Sequence, residues 1–168
     1  GLALHGTGGA ATFTNVDNSL GTIAATGVGS LGVVNKVPLI IGTVDGVAGI
    51  SASGAVTVST TNVAGNNLTI ANSISTTDTS SSAVSLTAGL GFTSGTGLTT
   101  NIILSGAPSL TVGAGGRAAL YTGAITSDVS SLVTAGNYRY NSDNVTVTPA
   151  LGLTGKYGIY RGASSGNV

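Results

Sequence analysis

Short runs in which apolar residues alternate with small polar ones set the strongest limit on what this chain can become. The pairs Leu31/Val33, Leu39/Ile41, Val56/Val58, Leu68/Ile70, Val84/Leu86, Ile102/Leu104 and Leu110/Val112 each hold two apolar side chains two residues apart. That spacing puts both members on one face of an extended strand. The residues between them, such as Thr57, Thr69, Ser85 and Thr111, are small and suit a wetted outer face. No stretch carries a 3.6-residue apolar period, so the chain reads as all-β.

The way the strands connect narrows the choice among sandwich, barrel and solenoid. Antiparallel hairpins favour two-residue turns such as Asp-Gly or Asn-Gly, and only Asp45-Gly46 fits. One such turn cannot fold ten or more strands into a meander. The other breaks, Gly27–Ser30, Ala64–Asn67 and Ser80–Ser82, read as wider corners. Weak self-similarity joins Gly21–Gly27 to Gly42–Gly46, and Ser53–Val58 to Ser82–Leu86. Short strands, small corners and imperfect repetition predict a parallel β-solenoid with irregular coils of about 20 residues. In it Leu39, Ile41, Val56, Val58, Leu68, Ile70, Val84, Leu86, Ile102 and Leu104 point inward as stacked ladders.

Composition removes other classes. Gly, Thr, Ser and Asn make up about half of the 168 residues, yet 28 Gly with 3 Pro and no three-residue period exclude collagen. The many β-branched residues and a charged fraction of only 6% argue against disorder. Five Lys and Arg balance five Asp, so nothing electrostatic calls for nucleic acid or an anionic membrane as partner. The longest strictly apolar stretch, Val37–Ile41, is far too short to span a bilayer. Gly1–His5 already reads as a strand, which suggests a segment of a longer polypeptide and gives the lack of a secretion leader little weight.

The composition shifts near Arg117 and divides the chain into a β-solenoid body, 1–116, and an aromatic, polar β tail, 117–168. All five Tyr lie in the tail, with six of the ten charged residues. The tail either caps or couples the coil end, where strand edges need cover, or is a second packing layer with ordinary core tyrosines. The candidate self-interaction residues are Tyr138, Arg139, Tyr140, Asp143, Tyr157 and Tyr160, because Tyr and Arg concentrate in strong interfaces.

Two stretches resemble a known family. Phe13–Asn15, Gly21–Ala25, Ile41–Val44 and Gly49–Val56 are similar to coils of filamentous-haemagglutinin-like bacterial exoproteins. The tail segments Leu120–Gly123, Gly136–Asp143 and Tyr157–Arg161 are the more specific match, and together the stretches cover most of residues 11–161. The resemblance implies a right-handed parallel β-helix in a large adhesin, secreted or held at the bacterial cell surface. The family's N-terminal secretion domain has no counterpart here, which fits an interior segment. It brings no catalytic residues.

Chemistry is sparse. Asp17, Asp45, Asp78, Asp128 and Asp143 are scattered, and there is no Glu to help build the carboxylate pair of a polysaccharide-active β-helix. His5 is the lone imidazole, no Gly-x-Ser-x-Gly elbow accompanies the serines, and no Cys or His cluster suggests a metal. Gly113–Gly116 lacks the Asp of a calcium β-roll, and Gly6–Gly9 lacks the Lys of a phosphate loop. Two sequons, at Asn67 and Asn144, are candidate glycosylation sites. The expectation is a non-catalytic structural or adhesive segment without cofactor or metal, whose partners are neighbouring copies or a surface glycan or protein receptor. The alternatives are a self-assembling subunit of an extracellular filament and, disfavoured, a polysaccharide-active enzyme.

Overall fold

The computed structural model describes residues 1–145 and 153–163. Its strands are β1 (Leu2–His5), β2 (Ala10–Phe13), β3 (Thr22–Val28), β4 (Ser30–Asn35), β5 (Leu39–Ile41), β6 (Thr43–Val44), β7 (Val47–Ala48), β8 (Ile50–Ala52) and β9 (Val56–Thr61). They continue with β10 (Leu68–Ile70), β11 (Ile74–Thr76), β12 (Val84–Leu90), β13 (Ile102–Leu104), β14 (Leu110–Thr111), β15 (Ala118–Thr122), β16 (Tyr138–Arg139) and β17 (Lys156–Tyr160). A 3-10 turn spans Ser130–Leu132. Among the described residues, no helix is long and apolar enough to cross a membrane.

The protein is all-β and its two large sheets are parallel. One runs β13-β10-β5-β3-β8-β11-β14, with β1 beside β3; the other runs β16-β17-β15-β12-β9-β4-β2. β3 joins the two arms of the first sheet: Ile23 pairs with Ile41 of β5, and Ala25 pairs with Ile50 of β8. Among the described residues the one antiparallel pair is β6–β7, whose turn is Asp45-Gly46. Both turn residues have positive φ, 49° and 78°, as a type I′ turn requires.

Parallel register stacks apolar residues into columns. Leu2, Ile23, Ile41, Ile70 and Leu104 form one, and Leu4, Ala25, Ile50, Ile74 and Leu110 another. In the second sheet Phe13, Val33, Val58, Leu86 and Leu120 stack in the same way. Nine of the ten residues expected to point inward are buried, and all nine belong to one core cluster. Leu104 packs against that cluster but is only half-buried, because β13 is the edge of its sheet and no strand covers it.

Two expectations need correction. Coils of about 20 residues hold only at the start: Ala11 pairs with Leu31, 20 residues on, but Leu31 pairs with Val56 after 25 and Val84 with Ala118 after 34. The strands stay short while the corners lengthen, as in 91–101, and added loop length costs little entropy. The repeat of Gly21–Gly27 in Gly42–Gly46 is also not structural, since Thr43–Val44 leaves the sheet to form the β6–β7 hairpin. The other repeat is real, for Val56 sits on Val84 and Val58 on Leu86. At the corner before β4 and β9, Gly29 lies against Gly8 and Gly54 against Gly29 so closely that a Cβ at either would strike backbone.

Candidate functional site: the C-terminal closure

The tail does not simply extend the stack. β17 inserts beside β15, and β16, earlier in sequence, becomes the outer edge. The column through Leu120 therefore passes by way of Gly158 to Tyr138 of β16, and a Cβ at Gly158 would press on Val129 and Tyr138. Val129, Leu132 and Val133 occupy the core cluster together with Tyr160. Tyr140 stacks on Tyr160 with ring centroids 5.2 Å apart, and Tyr138 tilts against it at 6.1 Å. Burial pushes the Tyr160 hydroxyl up to about 12.

The candidate self-interaction residues divide by burial. Tyr160 is buried in the core, while Tyr157 is buried on the opposite face of the sheet with Ala119, Ile159, Tyr121 and Leu153. Tyr138, Arg139 and Tyr140 are half-buried. Asp143 is buried, and its carboxylate accepts from the Ser94 N–H at 2.8 Å and the Val145 N–H at 2.6 Å.

Sequence reasoning missed the residue that ties this region together. Arg161 is 1% exposed. Its guanidinium donates to the carbonyls of Ala88 at 2.7 Å, Thr96 at 3.2 Å, Gly97 at 3.0 Å and Thr100 at 2.6 Å, and lies 5.5 Å from the centroid of the Phe92 ring. Gly95 N–H returns a bond to the Arg161 carbonyl at 2.8 Å. Desolvation draws the guanidinium down to about 10, with the Asp143 charge opposing, so it stays cationic at neutral pH. Arginine suits this role because its planar fork reaches several acceptors at once. The only signal in sequence was a charged residue ending an apolar strand, Ile159-Tyr160-Arg161.

Side chains also stand in for strands at the edge of the first sheet. Thr122 Oγ1 accepts from the Ile102 N–H at 3.0 Å and donates to Ser127 Oγ, which donates to the Ile102 carbonyl at 2.6 Å. Lys156 Nζ donates to the Leu110 carbonyl of β14 at 3.1 Å. Asn67 Oδ1 accepts from Asn101 N–H, and Asn101 Oδ1 from Ala124 N–H, each at 2.7 Å. The first sequon asparagine thus already serves in a ladder. Asn144 Oδ1 is buried with no hydrogen-bond partner among the described residues, and Thr146 of its sequon lies outside them.

Two surface grooves hold one carboxylate each. The first, about 480 Å³, runs along β13 with Thr126, Ser127 and Asp128 as its far wall. The second, about 410 Å³, lies under the β6–β7 hairpin, where His5, Thr26, Asp45 and Ser51 meet. Asp17 pairs with Lys36 at 2.9 Å, and Asp78 takes the Ser80 N–H, which holds its carboxyl below the usual range. Among the described residues no three His, Asp, Cys or Glu side chains gather as a metal site. A scan of protein-family models finds no match, and searches of curated proteins and of solved structures find none either.

Proposed function

We propose that the chain is a non-catalytic, structural or adhesive segment of a bacterial exoprotein of the filamentous-haemagglutinin-like kind, built as a right-handed parallel β-solenoid and displayed outside the cell. The observation that carries this reading is the set of apolar columns running in parallel register through both sheets. Such stacking makes a stiff body whose outer ladders, such as Ser51–Ser75–Thr111, are free to vary. Distribution of the carboxylates supports a role without hydrolysis, since neither groove offers the pair that glycoside cleavage needs. A surface glycan or protein receptor is the partner of the adhesive form.

A second reading, the subunit of an extracellular filament, is supported by a net charge of zero and a mean hydropathy of +0.45, which leave little repulsion between copies. Electron microscopy of the purified chain separates the two: isolated short rods support a segment, and filaments of uniform width support a subunit. Globular particles without an axis would refute both. Single Asp→Asn changes at positions 17, 45, 78, 128 and 143 are expected to leave binding or assembly intact. A glycan-cleaving activity lost in only two of these variants would replace the structural reading with an enzymatic one.

A further inference from the structure

β17 is out of order in its sheet. It follows β16 in the chain, yet it lies between β15 and β16 and runs parallel to both. All five of its residues pair with β15, from Lys156 on Ala118 to Tyr160 on Thr122, and two pair with β16. β16 is only two residues long, so β17 alone can close the whole β15 edge. Residues 157–162 are buried without a break, the longest such run among the described residues.

The walls of this slot come from residues earlier in the chain. Tyr160 joins the core cluster that holds Val129, Leu132 and Val133, and Tyr157 lies against Ala119 on the other face. Gly158 N–H donates to the Asn137 carbonyl and Arg161 N–H to the Thr122 carbonyl, each at 3.0 Å. The Arg161 guanidinium then reaches the carbonyls of Ala88 and Thr100. Asp143 takes the N–H groups of Ser94 and Val145, which fixes the chain up to Val145 on its own body. Eight peptide links join Val145 to Leu153, a reach of up to about 28 Å.

We propose that the slot between β15 and β16 also accepts β17 of a second copy, so that copies of the chain join by exchanging this strand. The occupant follows from the slot itself. Every contact that a second copy's β17 would make is one the chain's own β17 already makes. A foreign strand would have to match Tyr157, Tyr160 and Arg161 in register, with glycine at the position of Gly158, where a Cβ meets Val129 and Tyr138 at 3.2 Å. An empty slot would bare the β15 edge and the Arg161 acceptors, so one copy or the other fills it. Exchange replaces one set of bonds by an identical set. Its added cost is association, which falls where copies are held close together, as in a fibre. The inference deepens the filament reading and rests on it for its setting.

The chain has no cysteine, so introduced thiols report which copy fills the slot. Ala119 and Tyr157 are register partners across β15 and β17, at a strand spacing of about 4.8 Å that a disulfide can bridge. Equal amounts of an Ala119→Cys and a Tyr157→Cys protein are unfolded together, refolded at high concentration and oxidised. Each carries one thiol, so a disulfide joining the two positions lies between chains. Peptide mass spectrometry is expected to find it, in a yield that rises with concentration. Thr57→Cys, exposed on the same face two strands away, replaces Ala119→Cys as the collision control. Ala118→Cys with Lys156→Cys repeats the test while keeping Tyr157. In the double Ala119→Cys/Tyr157→Cys protein, oxidation of the dilute monomer locks β17 in its own slot. Assembly should then be lost and should return on reduction. A cross-link no stronger than the Thr57→Cys control in both pairs, or assembly of the locked monomer equal to that of the reduced protein, overturns the exchange. Filaments of the locked monomer in electron micrographs would overturn it too while leaving the filament reading standing. Exchanged dimers without filaments would support the exchange and remove that reading.

Discussion

The two ends of the stack solve the same problem differently. At the N-terminal end Leu2, Leu4, Ala11 and Phe13 are the last members of their columns, and all are half-buried, with no strand paired outside β1 and β2 among the described residues. At the C-terminal end the columns run into Val129, Leu132, Tyr138 and Tyr160, while Thr122, Ser127 and Lys156 occupy backbone groups of β13 and β14. An unpaired parallel edge invites another strand, and an edge satisfied by side chains does not. The backbone groups of β13 and β14 are thus largely taken by side chains, whereas no side chain plays that part beside β1 and β2 among the described residues. Leu104 and the groove along β13 are the exception.

The sharpest way to break the comparison is to remove Arg161. An Arg161→Met change takes a charged donor from four carbonyls, of which Gly97 keeps the Thr100 N–H, and about 3–5 kcal/mol of stability should be lost in denaturant unfolding. Hydrogen exchange should rise in 91–100 before it rises in β9 or β12. Arg161→Lys should recover only part of this, because a single ammonium cannot reach all four acceptors. Equal protection across the loop in wild type and variant would show that the closure does not depend on this residue.

Truncation of a side chain in the C-terminal closure ranks second. Leu132→Ala, at a buried position, should cost about 2–5 kcal/mol. Leu4→Ala at the open end should cost about 1 kcal/mol or less, since Leu4 is already partly in water. Equal costs would mean that the open end is covered in solution.

Alkaline pH gives a smaller effect of known sign. Tyr121 and Tyr160 are raised to about 12 by burial, above the ordinary tyrosine value of about 10. The folded chain therefore keeps their protons where the unfolded chain has lost them. Their contribution is complete below about pH 10 and is lost as pH rises toward 12. Arg161, drawn down to about 10, shifts in the opposite sense and offsets part of that loss. Tyr160→Phe should flatten the fall in unfolding midpoint between about pH 10 and pH 12. An unchanged slope would place the sensitivity away from the closed end.

Much of the fold was legible because its rule is local. Alternation fixed which side chains of each strand face inward, and Asp45-Gly46 marked the tight antiparallel turn of β6–β7 from its need for positive φ. The core positions Leu39, Val56, Leu86 and Ile102 followed from spacing alone. The candidate site was harder to read. Tyr157 and Tyr160 are three apart, yet they are buried on opposite faces of one sheet.

What the sequence determined by itself was the all-β class, the inward face of each run and the absence of repeated hairpins, since these depend on neighbours within a few residues. Tertiary structure alone decided which runs stack, how far apart in sequence they lie, and that β17 slides between β15 and β16. It also decided that Arg161 turns inward to carbonyls more than sixty residues away. Alternation is blind to such choices. Every run offers the same pleat and the same apolar pair, and the partner is chosen by corner length, by close approaches such as Gly29 on Gly8, and by the burial of polar groups that must find acceptors.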